Sequence, residues 1–111
     1  MAEFVEEKDA RKEMERIGVE EKSIAIMEPK GIFRRILVKN VRNAMANIVK
    51  QDMLSIGGEV AVNRGCVNCT IEKSDILIMG TVSQIRKLVK KLKWQVSELP
   101  EIAKEIEMLI K

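Results

Sequence analysis

Sixteen residues from Asn47 to Val62, N-I-V-K-Q-D-M-L-S-I-G-G-E-V-A-V, constrain the fold more than any other part of the chain. At helical period Met45, Ile48, Val49, Met53 and Ile56 form one apolar stripe, so the stretch buries one side of a helix. Gly57 and Gly58 then stop that helix, because glycine enters the left-handed cap conformation without a Cβ clash, and Glu59 to Val62 resume as a strand. The polar set does not follow from packing. Asn47, Lys50, Gln51 and Ser55 gather around Leu54, where a solvated face would mix Glu and Lys freely. These four residues, with Gly57 and Gly58, are candidate contacts to a small ligand, to a facing subunit, or to the glycine turn itself.

Around this unit the pattern reads as alternating helices and strands. Ala2 to Ile17 is an acidic helix with a sparse stripe of Phe4, Val5, Met14 and Ile17, an expected Glu7–Arg11 pair, and a stop at Gly18. Residues 1–18 are therefore expected to dock loosely. Ser23 to Met27 reads as a short strand closed by the Glu28-Pro29-Lys30-Gly31 turn, and Ile32 to Val41 is the strongest strand signal in the chain. With the helix over Asn43–Ile56 and the strand at Glu59–Val62 it makes a βαβ unit, for which a right-handed crossover is the default. Cys66 to Ile71 and Ile76 to Met79 read as further strands. Thr81 with Gln84 forms a capping box ahead of a helix whose inward face is Val82, Ile85, Leu88, Val89 and Leu92. Ser97 reads as the cap of a last helix, with Pro100 in its first turn. The expectation is a single α/β domain over residues 1–111: a small mixed sheet of residues 32–41, 59–62 and 76–79 flanked by amphipathic helices.

Composition removes several classes. At 46% hydrophobic and 33% charged residues the chain is neither disordered nor membrane-spanning, since no apolar run nears the ~20 residues a span requires. The start, M-A-E-F-V-E-E-K-D, is acidic and lacks the basic and apolar regions of a signal peptide, so a cytoplasmic location is expected. The net charge of +3 is uneven: residues 31–96 carry twelve bases and four acids, while residues 1–30 carry nine acids and six bases. A basic centre between acidic ends favours an anionic ligand or acidic partner, unless the end helices fold over and neutralise it.

Catalytic constellations are missing, for there is no His, no nucleophile with an adjacent base, and no Walker-type loop. Cys66 and Cys69 have the spacing of a metal knuckle, yet no third or fourth ligand completes a site, so packing is expected of them and neither metal nor cofactor. Gly80-Thr81 places N–H groups and a hydroxyl at a helix start after a buried strand; plain capping explains it, and an anion bound there would draw on Arg64 and Lys50. The basic run Arg86–Lys93 ending in Trp94 has the makings of a nucleic-acid surface, but the shortage of aromatics disfavours that partner.

The run Asn47, Lys50, Gln51, Leu54, Ser55, Gly57, Gly58, Glu59, Ala61, Val62 resembles the extension that precedes the catalytic barrel in long-form dihydropteroate synthases of anaerobic bacteria and archaea. The Met27-Glu-Pro-Lys30 turn, the Asp75–Thr81 strand with its Gly-Thr step, and Lys90–Lys93 with the closing helix are similar too, so the likeness covers most of the chain after Gly18. It does not bring the enzyme. A (β/α)₈ barrel needs roughly 250 residues, and the family's Asn-x-Thr-Pro-Asp-Ser-Phe-Ser motif is absent. The resemblance implies a non-catalytic accessory or interaction module of pterin or folate-type cofactor synthesis, acting with a separate synthase barrel subunit and open to homo-oligomerisation. A stand-alone domain for a phosphate-containing anion is the alternative, and a nucleic-acid binder the weaker one.

Overall fold

The computed structural model describes all 111 residues. Its elements run α1 (Ala10–Ile17), α2 (Glu21–Met27), β1 (Phe33–Arg42), α3 (Asn43–Ile56), β2 (Glu59–Ala61), β3 (Lys73–Thr81), α4 (Val82–Lys93) and α5 (Leu99–Ile110). The sheet order is β1-β3-β2, and both outer strands run antiparallel to β3. β1 and β2 therefore run parallel to each other, joined over α3, with β3 inserted between them. This is the split β-α-β arrangement, and with α4 it makes the first five elements of the β-α-β-β-α-β order. The expected mixed sheet is corrected: every hydrogen-bonded pair is antiparallel, because β3 returns through the gap that a simple βαβ unit would close.

Alternation along β3 decides the layers. Ser74, Ile76, Ile78 and Gly80 are buried on one face, while Asp75, Leu77, Met79 and Thr81 lie on the other. Ile36 opposite Ile78 and Val60 opposite Ile78 extend the buried face to both neighbours. Onto it pack Met45, Ala46, Val49 and Met53 of α3 and Ile85, Leu88, Val89 and Leu92 of α4, with α5 adding Leu99, Ile102, Ala103 and Ile106. The amphipathic helices α3, α4 and α5 expected from the sequence all pack on this one face, and the second face has no helix over it. Leu37 there is 54% exposed and Phe33 45%. A bulge between Val38 and Val41, with Asn40 at φ 56° and its N–H held by the Asp75 carboxylate at 3.0 Å, keeps Val41 turned inward.

Four local expectations are also corrected. Ser23–Met27 is helical, not extended: Ile24 is its one buried residue, and a short apolar run of this length does not distinguish the two states. Cys66–Ile71 is not a strand but a 3₁₀ turn over Arg64–Cys66 followed by irregular chain, tied by Asn63, whose side chain accepts from the Gly65 N–H at 2.8 Å. The first α-helix begins at Ala10 after a 3₁₀ turn over Glu7–Asp9, and Glu7 pairs with Arg34 in place of Arg11. At the start of α5 the cap position belongs to Glu98, and Ser97 sits at φ 61°.

Candidate contact site

Three of the four polar candidates on α3, Asn47, Lys50 and Ser55, tie that helix to a neighbour. The Asn47 amide donates to the Cys66 carbonyl at 2.9 Å, fixing the 3₁₀ turn against α3. Ser55 donates to the Asp52 carbonyl at 2.6 Å and accepts from Lys91 Nζ at 2.8 Å, which bridges α3 to α4. Gln51 is exposed. Gly57, at φ 101°, is the left-handed cap the sequence predicts, with its N–H on the Leu54 carbonyl at 3.1 Å and the Gly58 N–H on Met53 at 3.0 Å.

Lys50 has the most specific placement. Its Nζ donates to the Val60 carbonyl at 2.9 Å and to Glu59 Oε1 at 3.3 Å, while the same Glu59 oxygen accepts from the Val60 N–H at 2.9 Å. With its C=O taken by Lys50 and its N–H by Glu59, Val60 is the residue of β2 whose main-chain groups turn away from the sheet. Both are satisfied by this Lys–Glu pair, which closes the β2 edge against further strands. The carboxyl of Glu59 is held below its ordinary range first by the Val60 N–H and then by Lys50.

Gly58 and Gly80 are set by one side chain. A Cβ at Gly58 would lie 2.4 Å from Met53 Cε, and one at Gly80 2.5 Å from the same carbon. Met53 is fully buried, so the two glycines form the slot it fills. Thr81 is committed to capping: its hydroxyl accepts from the Gln84 N–H at 3.1 Å and its own N–H donates to Gln84 Oε1 at 2.9 Å. Arg64 does not join it. The Asn63 N–H bonds Ser74 near the start of β3, whereas Thr81 ends that strand about 20 Å away at the strand rise. Plain capping, the expected reading of Gly80-Thr81, is what Thr81 does, and Arg64 lies away from that helix start.

The basic centre is partly neutralised by the acidic ends. Arg34 pairs with Glu7 at 3.1 Å, Arg42 with Glu98 at 2.8 Å and Lys93 with Glu107 at 3.0 Å. Arg42 first, then Ser97, draw the Glu98 carboxyl down to about 2. Cations also remain around a cavity of about 300 Å³ between α4 and α5, lined by Arg86, Lys90 and Lys111 together with Glu107. Cys66 is buried and Cys69 exposed, both as free thiols.

Sequence reasoning missed the open sheet face. Phe33, Arg35, Leu37 and Lys39 share it through their i, i+2 spacing, with Leu77 and Met79 behind them and Arg35 stacked 5.9 Å over the Phe33 ring. The alternation was present in the strand; its apolar residues on both faces hid which side the helices cover.

The fold defines a small two-layer α/β domain with one uncovered sheet face, and no helix in it is long and apolar enough to cross a membrane. Among curated proteins it is similar to a probable bifunctional folylpolyglutamate synthase/dihydropteroate synthase of Halobacterium salinarum, at 31% identity over 98 residues. Those residues are 88% of this chain and 12% of that protein, so the chain corresponds to about an eighth of its relative. No family model matches the sequence, and no solved structure matches it.

Proposed function

We propose that this domain is a non-catalytic interaction module of folate-type cofactor synthesis that docks on a dihydropteroate-synthase barrel through its open sheet face. The match to a protein named for two folate enzymes carries the reading, since 98 aligned residues take in nearly all of this fold. Two features of the domain support a docking role. The polar groups that looked chemical in sequence, on Asn47, Lys50, Ser55 and Thr81, are spent on internal hydrogen bonds. The uncovered face instead offers Leu37, Leu77 and Met79 beside Arg35 and Lys39, an apolar centre with a charged rim.

Calorimetric titration of the purified domain into the synthase barrel of the same organism tests this. Binding with Kd at or below about 10 μM is expected, weakened tenfold or more by Leu77→Asp, about 1.4 kcal/mol. Absence of heat at about 100 μM, with synthase turnover unchanged, overturns the proposal. Anion binding is a second reading, favoured by the Arg86, Lys90 and Lys111 cavity. Its measure is inorganic phosphate binding that is lost in Arg86→Ala.

A further inference from the structure

The two edges of the sheet differ in a way that points to a missing strand. The Val82 N–H on the Ile32 carbonyl at 2.8 Å sets the parity of the β1–β3 ladder: residues 32, 34, 36 and 38 bond β3. The N–H and C=O of Phe33, Arg35 and Leu37 therefore face outward. Phe33 is sealed, because Glu7 Oε1 accepts from its N–H at 2.7 Å while Glu7 Oε2 holds Arg34 at 3.1 Å. Beyond it the row lies open, in contrast to the closed edge at β2.

Immediately before Glu7 stands a segment with the complementary character. Residues 1–6, M-A-E-F-V-E, form neither helix nor strand; Glu6 is extended at φ −64° and ψ 144°, and Phe4 is fully exposed. In this conformation the segment borders Asp9, Lys12 and Glu13 of the first helical turns, leaving both it and the β1 edge unpaired.

We propose that the β1 edge is a docking site for an extended acidic–apolar segment, and that its occupant is the chain's own Ala2–Glu6, closing as a fourth, antiparallel strand. The Glu7–Arg34 contact sets the register. Continued from it, Glu6 falls opposite Arg35 and Phe4 opposite Leu37 on the open face, with Val5 opposite Ile36 on the inner one, and Ala2 reaches the bulge that follows Val38. Arg35 gains a carboxylate it otherwise lacks, and the two exposed apolar side chains cover each other. Glu6 and Phe4 also fall opposite the residues whose main-chain groups point outward. Glu3, opposite half-buried Val38, stays hydrated on the rim. The bulge after Val38 limits the pairing to about the length the segment has. A direct tether to Glu7 favours this copy's segment over another's, since effective concentrations across short linkers reach the millimolar range.

Amide hydrogen exchange on the full chain reads the outcome at Arg35 and Leu37, with the Ile36 and Ile78 amides of the inner ladder as folding controls. Protection of Arg35 and Leu37 by about tenfold or more is expected. It should be independent of protein concentration, lost in Phe4→Asp and in Glu6→Arg, and restored when Glu6→Arg is combined with Arg35→Glu. Equal exchange in wild type and Glu6→Arg overturns the proposal. Protection that rises with concentration and accompanies a dimer in analytical ultracentrifugation overturns it too, assigning the edge to a second copy. No synthase is present in this experiment, so the result is independent of the docking function.

Discussion

Replacing Gly80 by alanine tests whether Met53 is the keystone between α3 and β3. The added Cβ would stand 2.5 Å from Met53 Cε and 2.9 Å from Gln84 Oε1, the oxygen that accepts the Thr81 N–H. Contacts under 3 Å force movement. A flexible methionine can swing its methyl away in open space, but here Met53 is fully buried and its Cε is also the nearest atom to Gly58. Relief toward Gly58 is therefore shut. Overpacking of this kind costs about 1–3 kcal/mol, and part of that is the loosened capping box, itself about 1 kcal/mol. Met53→Ala alone removes a buried side chain at about 2–5 kcal/mol. The two together should cost less than their sum by at least about 1 kcal/mol, because the alanine methyl then enters space that Met53 vacated. Urea unfolding of the four proteins in this cycle measures the coupling. Gly80→Ala within about 0.5 kcal/mol of wild type, or strict additivity with Met53→Ala, refutes the slot.

Three further outcomes follow from neighbouring observations. Lys50→Met keeps the aliphatic stem but strips the donor from the Val60 carbonyl, so urea unfolding should show a loss of about 1 kcal/mol, and the reopened β2 edge should raise the tendency to associate in sedimentation. Cys66→Ser places a hydroxyl in the core and should cost about 1–3 kcal/mol, whereas exposed Cys69→Ser stays within about 0.5 kcal/mol; equal effects in thermal melts would contradict their different burial. The Glu98 carboxyl is depressed to about 2, so its contribution is present above the ordinary value of 4.5 and is lost as pH falls through that window. Acid unfolding of Glu98→Gln should accordingly show a shallower loss of stability between those two values than wild type does, and an unchanged slope would count against the Arg42 pairing.

The helices with continuous apolar stripes were legible in sequence. α3 begins and ends where its stripe and the Gly57 cap place it, and the Thr81–Gln84 capping box forms as read. Chain pairing was not, because strand order depends on contacts some forty residues apart, such as Ile36 with Ile78, that no local period encodes. Short apolar runs failed in the same way: Ser23–Met27 has the length of a strand and the fate of a helix. The polar residues of α3 stand out in sequence against its apolar stripe, but not for a reason the sequence names. Their observed bonds run to Cys66, Val60 and Lys91, partners that come close only once the chain has folded back.

The insertion of β3 between two strands made earlier in the chain also orders events in time. When residues up to Val62 have left the ribosome, β1 and β2 exist as segments, but neither can bond the other, since the lane between them is still empty. The unit is a frame awaiting its centre. Only when Lys73–Thr81 arrives can both ladders form, and they form together, so the sheet should appear in a single late step with little partial structure before it. A nascent chain stalled before residue 73 should then be digested by protease throughout Phe33–Ala61, and one from which α5 has also emerged should resist.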